Sequence, residues 1–343
     1  MTGQRTVLEI CAGAGGQACG LERAGFDHQA AVDIEDVCTD TLRLNRPGWN
    51  VVTKDIRGVD GHDYRGVDLL AGGVPCSPFS IAGKQLGADD ERDLFPEALR
   101  IIREARPTAV MLENVPALAS SRFTDYRVSM LLELERLDYL PAWKVLNASA
   151  FGVPQLRPRF VLVAMKRPYF KAWQWPPTSY RTPPTVGEAL EDLMAARGWP
   201  GAHRWAQRAN GVGPTIVGGS KKHGGPDLGP TRARHEWSLL GVNGRGVADE
   251  PPGPEVAADV QPKLTIRMVA RIQGFPDDWQ FAGGKTARYR QVGNAFPPPV
   301  AAAVGESIYA ALTAGHRPAS RPVCRGVSPR PGPPVVTGQG VLF

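Results

Sequence analysis

Four short stretches of this 343-residue chain carry side chains able to do chemistry. Gly72-Gly73-Val74-Pro75-Cys76-Ser77-Pro78-Phe79-Ser80 sets a cysteine between prolines, just after the apolar run Val67–Ala71. Cysteine is usually a small buried hydrophobe. Here it stands among polar residues at a strand exit, where a thiolate can form beside positive charge or hydrogen-bond donors. Glu113-Asn114-Val115-Pro116 follows a second apolar run, Ala109–Leu112, so its carboxylate reaches the same sheet edge. Gln155-x-Arg157-x-Arg159 leads into Phe160–Ala164, and strand alternation puts both guanidiniums on one face. Such a pair suits a phosphate, a base carbonyl or a neighbouring thiolate. The fourth stretch, Gly13-x-Gly15-x-x-Ala18, follows Thr6–Ile10 and has Asp33 twenty residues beyond Gly13. That is a dinucleotide fingerprint, with glycines for close backbone approach and an acid for ribose hydroxyls. Any adenosine-containing ligand fits it, so it divides between NAD and S-adenosylmethionine enzymes. Asp55, after a third strand, is placed to accept from an adenine amino group.

These residues need a scaffold that brings strand ends together, and the first 165 residues supply one. Thr6–Ile10, Gln29–Ile34, Val51–Thr53, Val67–Ala71 and Ala109–Leu112 read as strands. Helices run through Ala18, Leu21 and Ala24 to a stop at Gly25, then to the Arg46-Pro47 break, and over Leu94–Ala105 and Val128–Leu137. Repeated βα units predict an α/β fold with a mostly parallel sheet and ligands at the strands' carboxyl ends. After Met165 the periodicity is lost. Residues 166–262 hold 13 prolines, 14 glycines and five of the eight tryptophans, a loop-rich second domain. Helical pattern resumes at Thr265–Gln273 and Pro299–Ala311, so residues 263–315 are expected to rejoin 1–165. The Pro/Gly/Arg-rich tail 316–343 is expected to be mobile.

The formal charge of +6 is unevenly spread. Residues 1–159 carry −4, residues 160–262 and 263–315 carry +3 each, and the tail carries +4. A basic back half suits a polyanion. An apolar fraction of 42% with 22% charged residues excludes wholesale disorder. There is no long apolar run and no leader-like N-terminus, which argues against a membrane span or secretion. Five scattered cysteines without a CxxC argue against disulfides or zinc and for a reducing cytoplasm.

Taken in order, the motifs resemble those of the bacterial DNA (cytosine-5) methyltransferases from Glu9 to Ile308. They are Cys11-Ala12-Gly13-Ala14-Gly15-Gly16, Pro75-Cys76, Glu113-Asn114-Val115, Gln155-x-Arg157-x-Arg159, Arg267-Met268-Val269-Ala270-Arg271-Ile272-Gln273-Gly274-Phe275-Pro276 and Gln291-Val292-Gly293-Asn294-Ala295. The resemblance implies a Rossmann-like methyltransferase domain using S-adenosylmethionine, leaving S-adenosylhomocysteine, and no metal. Cytosine C5 is too weak a nucleophile to take a methyl group directly. By the resemblance Cys76 adds to C6 to activate it, Glu113 protonates N3 and holds the exocyclic amine, Arg159 contacts O2, and Arg157 helps to hold the thiolate and active-site loop. The base must leave the duplex first.

For the cofactor, the resemblance implies Cys11, Ala12, Gly13, Gly15 and Gly16 near the methionine part, with Asp33 and Ile34 at the ribose side. Asp55 and Ile56 fall at the adenine, and Pro75, Asn294 and Ala295 between cofactor and active-site loop. Cys11 and Ile34 stand where the family often has aromatics, which predicts weaker stacking on the cofactor. Ser77–Phe95 resembles the mobile loop that closes over the flipped base, with Ser80, Lys84 and Gln85 facing DNA. Residues 166–262 match the target recognition domain, where Lys221, Lys222, Arg232 and Arg234 are the expected DNA contacts. The implied partner is double-stranded DNA bound by a monomer in the cytoplasm, at the nucleoid, with a cognate restriction endonuclease as a genetic partner. An RNA cytosine-C5 methyltransferase and an NAD-dependent oxidoreductase are the alternative readings.

Overall fold

The computed structural model describes residues 4–75, 93–177, 182–219 and 225–315. Seven strands, β1 (Arg5–Ile10), β2 (Phe26–Asp33), β3 (Val51–Thr53), β4 (Leu69–Gly72), β5 (Ala109–Asn114), β6 (Tyr139–Asn147) and β7 (Pro158–Lys166), form one sheet in the order β3-β2-β1-β4-β5-β7-β6. The first five are parallel, while β7 runs antiparallel to both β5 and β6. The sheet is thus mixed and mostly parallel. Central strands such as β1 and β5 are buried on both faces, so they read as continuous apolar runs. Edge strand β6 carries Pro141 and Lys144 and is half-exposed, a pattern with no such run to mark it.

Helices α1 (Gly16–Arg23), α2 (Asp36–Asn45), α3 (Phe95–Ala105), α4 (Thr124–Arg136) and the short α5 (Arg167–Phe170) belong to the first part. The next three, α6 (Val186–Ala195), α7 (Ala202–Arg208) and α8 (Thr231–Leu239), lie in the loop-rich part; α9 (Ile266–Ile272), α10 (Lys285–Asn294) and α11 (Pro298–Ala314) follow. On one face of the sheet α3 and α4 bury Ile101, Ile102 and Leu134 against Leu8, Leu70 and Leu162. On the other, α1 and α11 bury Leu21, Val304 and Ile308 against Val7, Met111 and Val163. These two helices cross so closely that a Cβ on Gly20 would lie 2.5 Å from the Pro298 carbonyl. α11 thus packs directly on α1.

The loop-rich segment is more helical than its composition predicts. Its buried Trp199, Trp205 and Trp237 form one cluster with Val269, Trp279 and Val292, and that cluster reaches Ala14, Ala18 and Leu42. Backbone bridges Gln155↔Gly213 and Ala248↔Thr265 stitch it to β7 and to α9.

Candidate active site

The chemical groups gather at one edge of the sheet: Asp33 and Glu113 at the carboxyl ends of β2 and β5, and Arg159 at the start of antiparallel β7. β1 ends at Ile10; Cys11, the next residue, adopts φ 50, and the chain turns through Gly13 (φ 55) and Gly15 (φ 85) into α1. Positive φ costs a side chain energy, which explains two of the glycines. Their surroundings differ. A Cβ on Gly13 would meet nothing within 4 Å, whereas on Gly15 it would lie 2.7 Å from both Leu42 and the Trp279 ring. On Gly16 it would lie 2.3 Å from the Phe296 carbonyl. Gly15, expected at the cofactor, is thus absent from the cavity wall and is required by packing beneath it. Trp279 holds the loop from below through Nε1–H to the Ala14 carbonyl, 3.1 Å.

A cavity of about 450 Å³ opens above this loop. Its wall includes Cys11, Ala12, Gly13, Gly16, Asp33, Ile34, Asp55, Ile56, Pro75, Asn294 and Ala295, all expected there, and also Glu113. Asp33 accepts from the Gly13 N–H at 2.8 Å and the Glu35 N–H at 2.9 Å, fixing loop and β2 end together. Burial pushes its carboxyl above the usual range against those bonds. Each oxygen keeps a further lone pair for a ribose hydroxyl. Asp55 caps the Arg57 N–H at 2.9 Å and pairs with the Arg57 guanidinium at 3.0 Å. Ile34 is 61% exposed at the rim, a large apolar surface open to a ligand. Gln17 adds a buried Nε2 with no hydrogen-bond partner among the described residues. An open glycine loop, acids at two strand ends, an exposed aliphatic face and an unspent donor fit a nucleoside carrying an amino-acid tail.

Glu113 stands at the end of β5, where its Oε1 forms an ion pair with Arg159 Nε at 2.9 Å; the two side chains are 11% and 13% exposed. Desolvation pushes the Glu113 carboxyl up, with Arg159 and then Arg157 opposing. The upward direction is the one that a proton donor to a ring nitrogen requires. The next residue, Asn114, was not singled out by sequence. Its Nδ2 donates to the Val74 carbonyl at 2.9 Å, tying β5 to the segment that delivers Pro75. Cys76, Ser80, Lys84 and Gln85 lie outside the described residues, as do Lys221 and Lys222.

Arg157 has a structural part that its motif does not announce. It is fully buried, and its guanidinium donates to the carbonyls of Ile216 (2.6 Å), Gly293 (2.6 Å) and Ala295 (3.0 Å). It clamps three chain segments, with burial holding its pKa well below normal. Gln155 does similar work, accepting from the Ile216 N–H at 2.8 Å and donating to Gln273. Of the two expected DNA-facing arginines on α8, Arg232 is exposed and pairs with Glu236, while Arg234 is drawn to Asp227 and Thr231. Arg234 therefore braces the turn before α8, leaving Arg232 as the more available cation.

The sequence profile of the C-5 cytosine-specific DNA methylases matches residues 5–310. The chain is 57% identical over 311 residues to Type II methyltransferase M.NaeI of Lentzea aerocolonigenes, covering 89% of this chain and 75% of that one. It is 52% identical over 317 residues to Type II methyltransferase M.NgoMIV of Neisseria gonorrhoeae, covering 90% and 98%. Among solved structures, the Entamoeba histolytica methyltransferase EhMeth superposes with a TM-score of 0.63 at 15% identity, over 90% of this chain and 98% of that one. A Spodoptera frugiperda DNMT2 mutant gives 0.62 at 18% identity, over 89% and 99%. With the profile running from β1 into α11 and two relatives above half identity, this chain belongs to the C-5 cytosine-specific DNA methylases.

Proposed function

We propose that this DNA (cytosine-5) methyltransferase acts on a cytosine flipped out of a specific duplex sequence, through a transient bond between Cys76 and C6. The observation that carries the reading is the shared wall: Glu113, paired with Arg159, lines the same cavity as Gly13 and Asp33. A base held by the acid thus lies beside whatever the glycine loop binds.

S-adenosylmethionine, when bound, supplies an electrophilic methyl on a sulfonium. The protein's residues do the rest. The Cys76 thiolate forms an S–C6 bond as the Glu113 carboxyl gives its proton to N3, which leaves C5 with enamine character. Arg159 keeps that carboxyl in place and offers its remaining N–H groups to O2. C5 takes the methyl, its proton then departs to water, and the C5–C6 double bond reforms as the thiolate leaves and N3 returns its proton to Glu113. The products are 5-methylcytosine and S-adenosylhomocysteine.

Residues 166–262 serve as the target recognition domain on a catalytic unit of 1–165 and 263–315, with 316–343 as a basic tail. The protein works as a monomer on nucleoid DNA in the cytoplasm, paired genetically with a restriction endonuclease as in a Type II system. No described helix is long and apolar enough to cross a membrane. Hydride transfer, open to a glycine loop alone, falls with the family match.

The test is methylation of mixed plasmid DNA followed by bisulfite sequencing, with a transfer-RNA arm. Protected cytosines in one sequence context, lost in Cys76→Ser while duplex binding persists, are expected. Turnover by Cys76→Ser overturns the covalent step, and label in the RNA arm alone overturns the substrate.

A further inference from the structure

The cavity wall includes one residue from outside the catalytic unit. Gly219 belongs to the loop-rich region, yet it lines the cavity beside Asn294. It ends a described stretch, Ile216–Gly219, held at nearly every residue. Ile216 is gripped at both its N–H and its carbonyl, by Gln155 and Arg157. Gly218 lies directly on Gly293: a Cβ on Gly293 would come within 2.4 Å of the Gly218 Cα. A Cβ on Gly218 would meet Asn294 Oδ1 at 2.4 Å and the Arg290 carbonyl at 2.7 Å. Asn294 Nδ2 then donates to the Gly219 carbonyl at 3.3 Å. On its other side, Val217 is 45% exposed and lies within 4 Å of where a Gly229 Cβ would be, just before α8.

We propose that Ile216–Gly219 is a positioning strap through which an occupied cofactor cavity tightens DNA binding. One edge of the strap is cavity wall and the other abuts the turn that carries α8 and Arg232. A ligand that orders Gly219 orders the far edge as well, because Gly218 packs on Gly293 with no side chain between to absorb movement. Coupling of this kind is reciprocal: DNA must tighten the cofactor analogue by the same factor. The proposal rests on residues 225–262 meeting DNA, as set out under the proposed function.

The experiment measures the Kd of S-adenosylhomocysteine with and without saturating substrate duplex, by calorimetry on the full chain. The readout is the ratio of the two constants, in which any direct change in cavity contacts cancels. The native protein is expected to show a ratio of about ten, within the usual range of such couplings. Gly218→Ala, whose methyl group must lift the strap from α10, is expected to bring the ratio close to one. Asn294→Ser, which loses the bond to Gly219 without adding bulk, is expected to lower it severalfold and keeps the test open where Gly218→Ala does not fold. A native ratio of one overturns the proposal. So does a ratio unchanged in a folded variant of either kind. Failure to bind any duplex overturns the substrate reading itself, which the plain DNA titration in the same series reveals separately.

Discussion

Arg159 pairs with Glu113 through Nε at 2.9 Å and spends Nη1 on the Pro158 carbonyl at 2.8 Å, so the acid is held while Nη2 is left for substrate. Arg159 is also the largest influence drawing the Glu113 pKa down against desolvation. Removing it must move that pKa further up. In Arg159→Gln the alkaline limb of the pH–rate profile, set by loss of the Glu113 proton, is expected at higher pH than in the native enzyme. The maximum rate falls by about 10²-fold or more, as for loss of a general acid's orientation. Single-turnover methylation across pH 5–10 checks both.

Arg157 predicts a different outcome. Lys in its place supplies one ammonium for three carbonyls on separate segments and lacks the planar fork. The loss of stability is expected at about 3 kcal/mol, the scale of a broken buried charged network. Urea unfolding monitored by tryptophan fluorescence gives the number.

The glycine loop separates two effects that sequence joins. Gly13→Ala puts a methyl group into open cavity, at a backbone strain of about 1–2 kcal/mol. Gly15→Ala drives the same methyl group into Leu42 and Trp279. Gly13→Ala is expected to lower S-adenosylhomocysteine affinity at least tenfold with a modest change in Tm, and Gly15→Ala to lower Tm sharply. Calorimetry and thermal melts on the pair decide it.

Glu9 and His28 are buried together between β1 and β2 at 3.0 Å, with Trp49 stacked on the imidazole at 4.0 Å between centroids. Burial raises the Glu9 pKa above 4.5, against the hydrogen bond from His28. A raised carboxyl binds more protons folded than unfolded, so its contribution is complete below 4.5 and declines as pH rises through the folded value. Glu9→Gln is expected to flatten that decline, read from urea midpoints between pH 5 and 8. An identical slope in both proteins removes Glu9 as the cause.

What the sequence disclosed follows from which interactions are local. β3 at Val51–Thr53 and the helix stop at Gly25, where φ is 96, were legible because apolar runs and turn residues are contiguous. Likewise Glu113 and the cavity acids follow from strand ends. By contrast α10 has a polar sequence, KTARYRQVGN, and buries Tyr289, Val292 and Gly293 because α9 and the loop-rich region lie on it. Arg157 was legible as a cation but not as a clamp, since its acceptors lie 59, 136 and 138 residues away and are main-chain carbonyls that carry no side-chain signature. Gly293 is similar: its reason is Gly218, 75 positions earlier, and spacing alone names no such partner.

The tryptophan cluster that joins Trp199, Trp205 and Trp237 to Val269, Trp279 and Val292 has a consequence for modularity. A specificity graft exchanging 166–262 alone would cut through a shared interior and leave α9 and α10 facing foreign side chains. The transplantable unit runs through Val292, one residue before the Gly293 carbonyl that Arg157 holds, and must keep the Ile216 carbonyl that Arg157 also holds. New sequence preferences in such an enzyme must therefore be acquired together with the helices behind them, and the cytosine chemistry stays on the sheet.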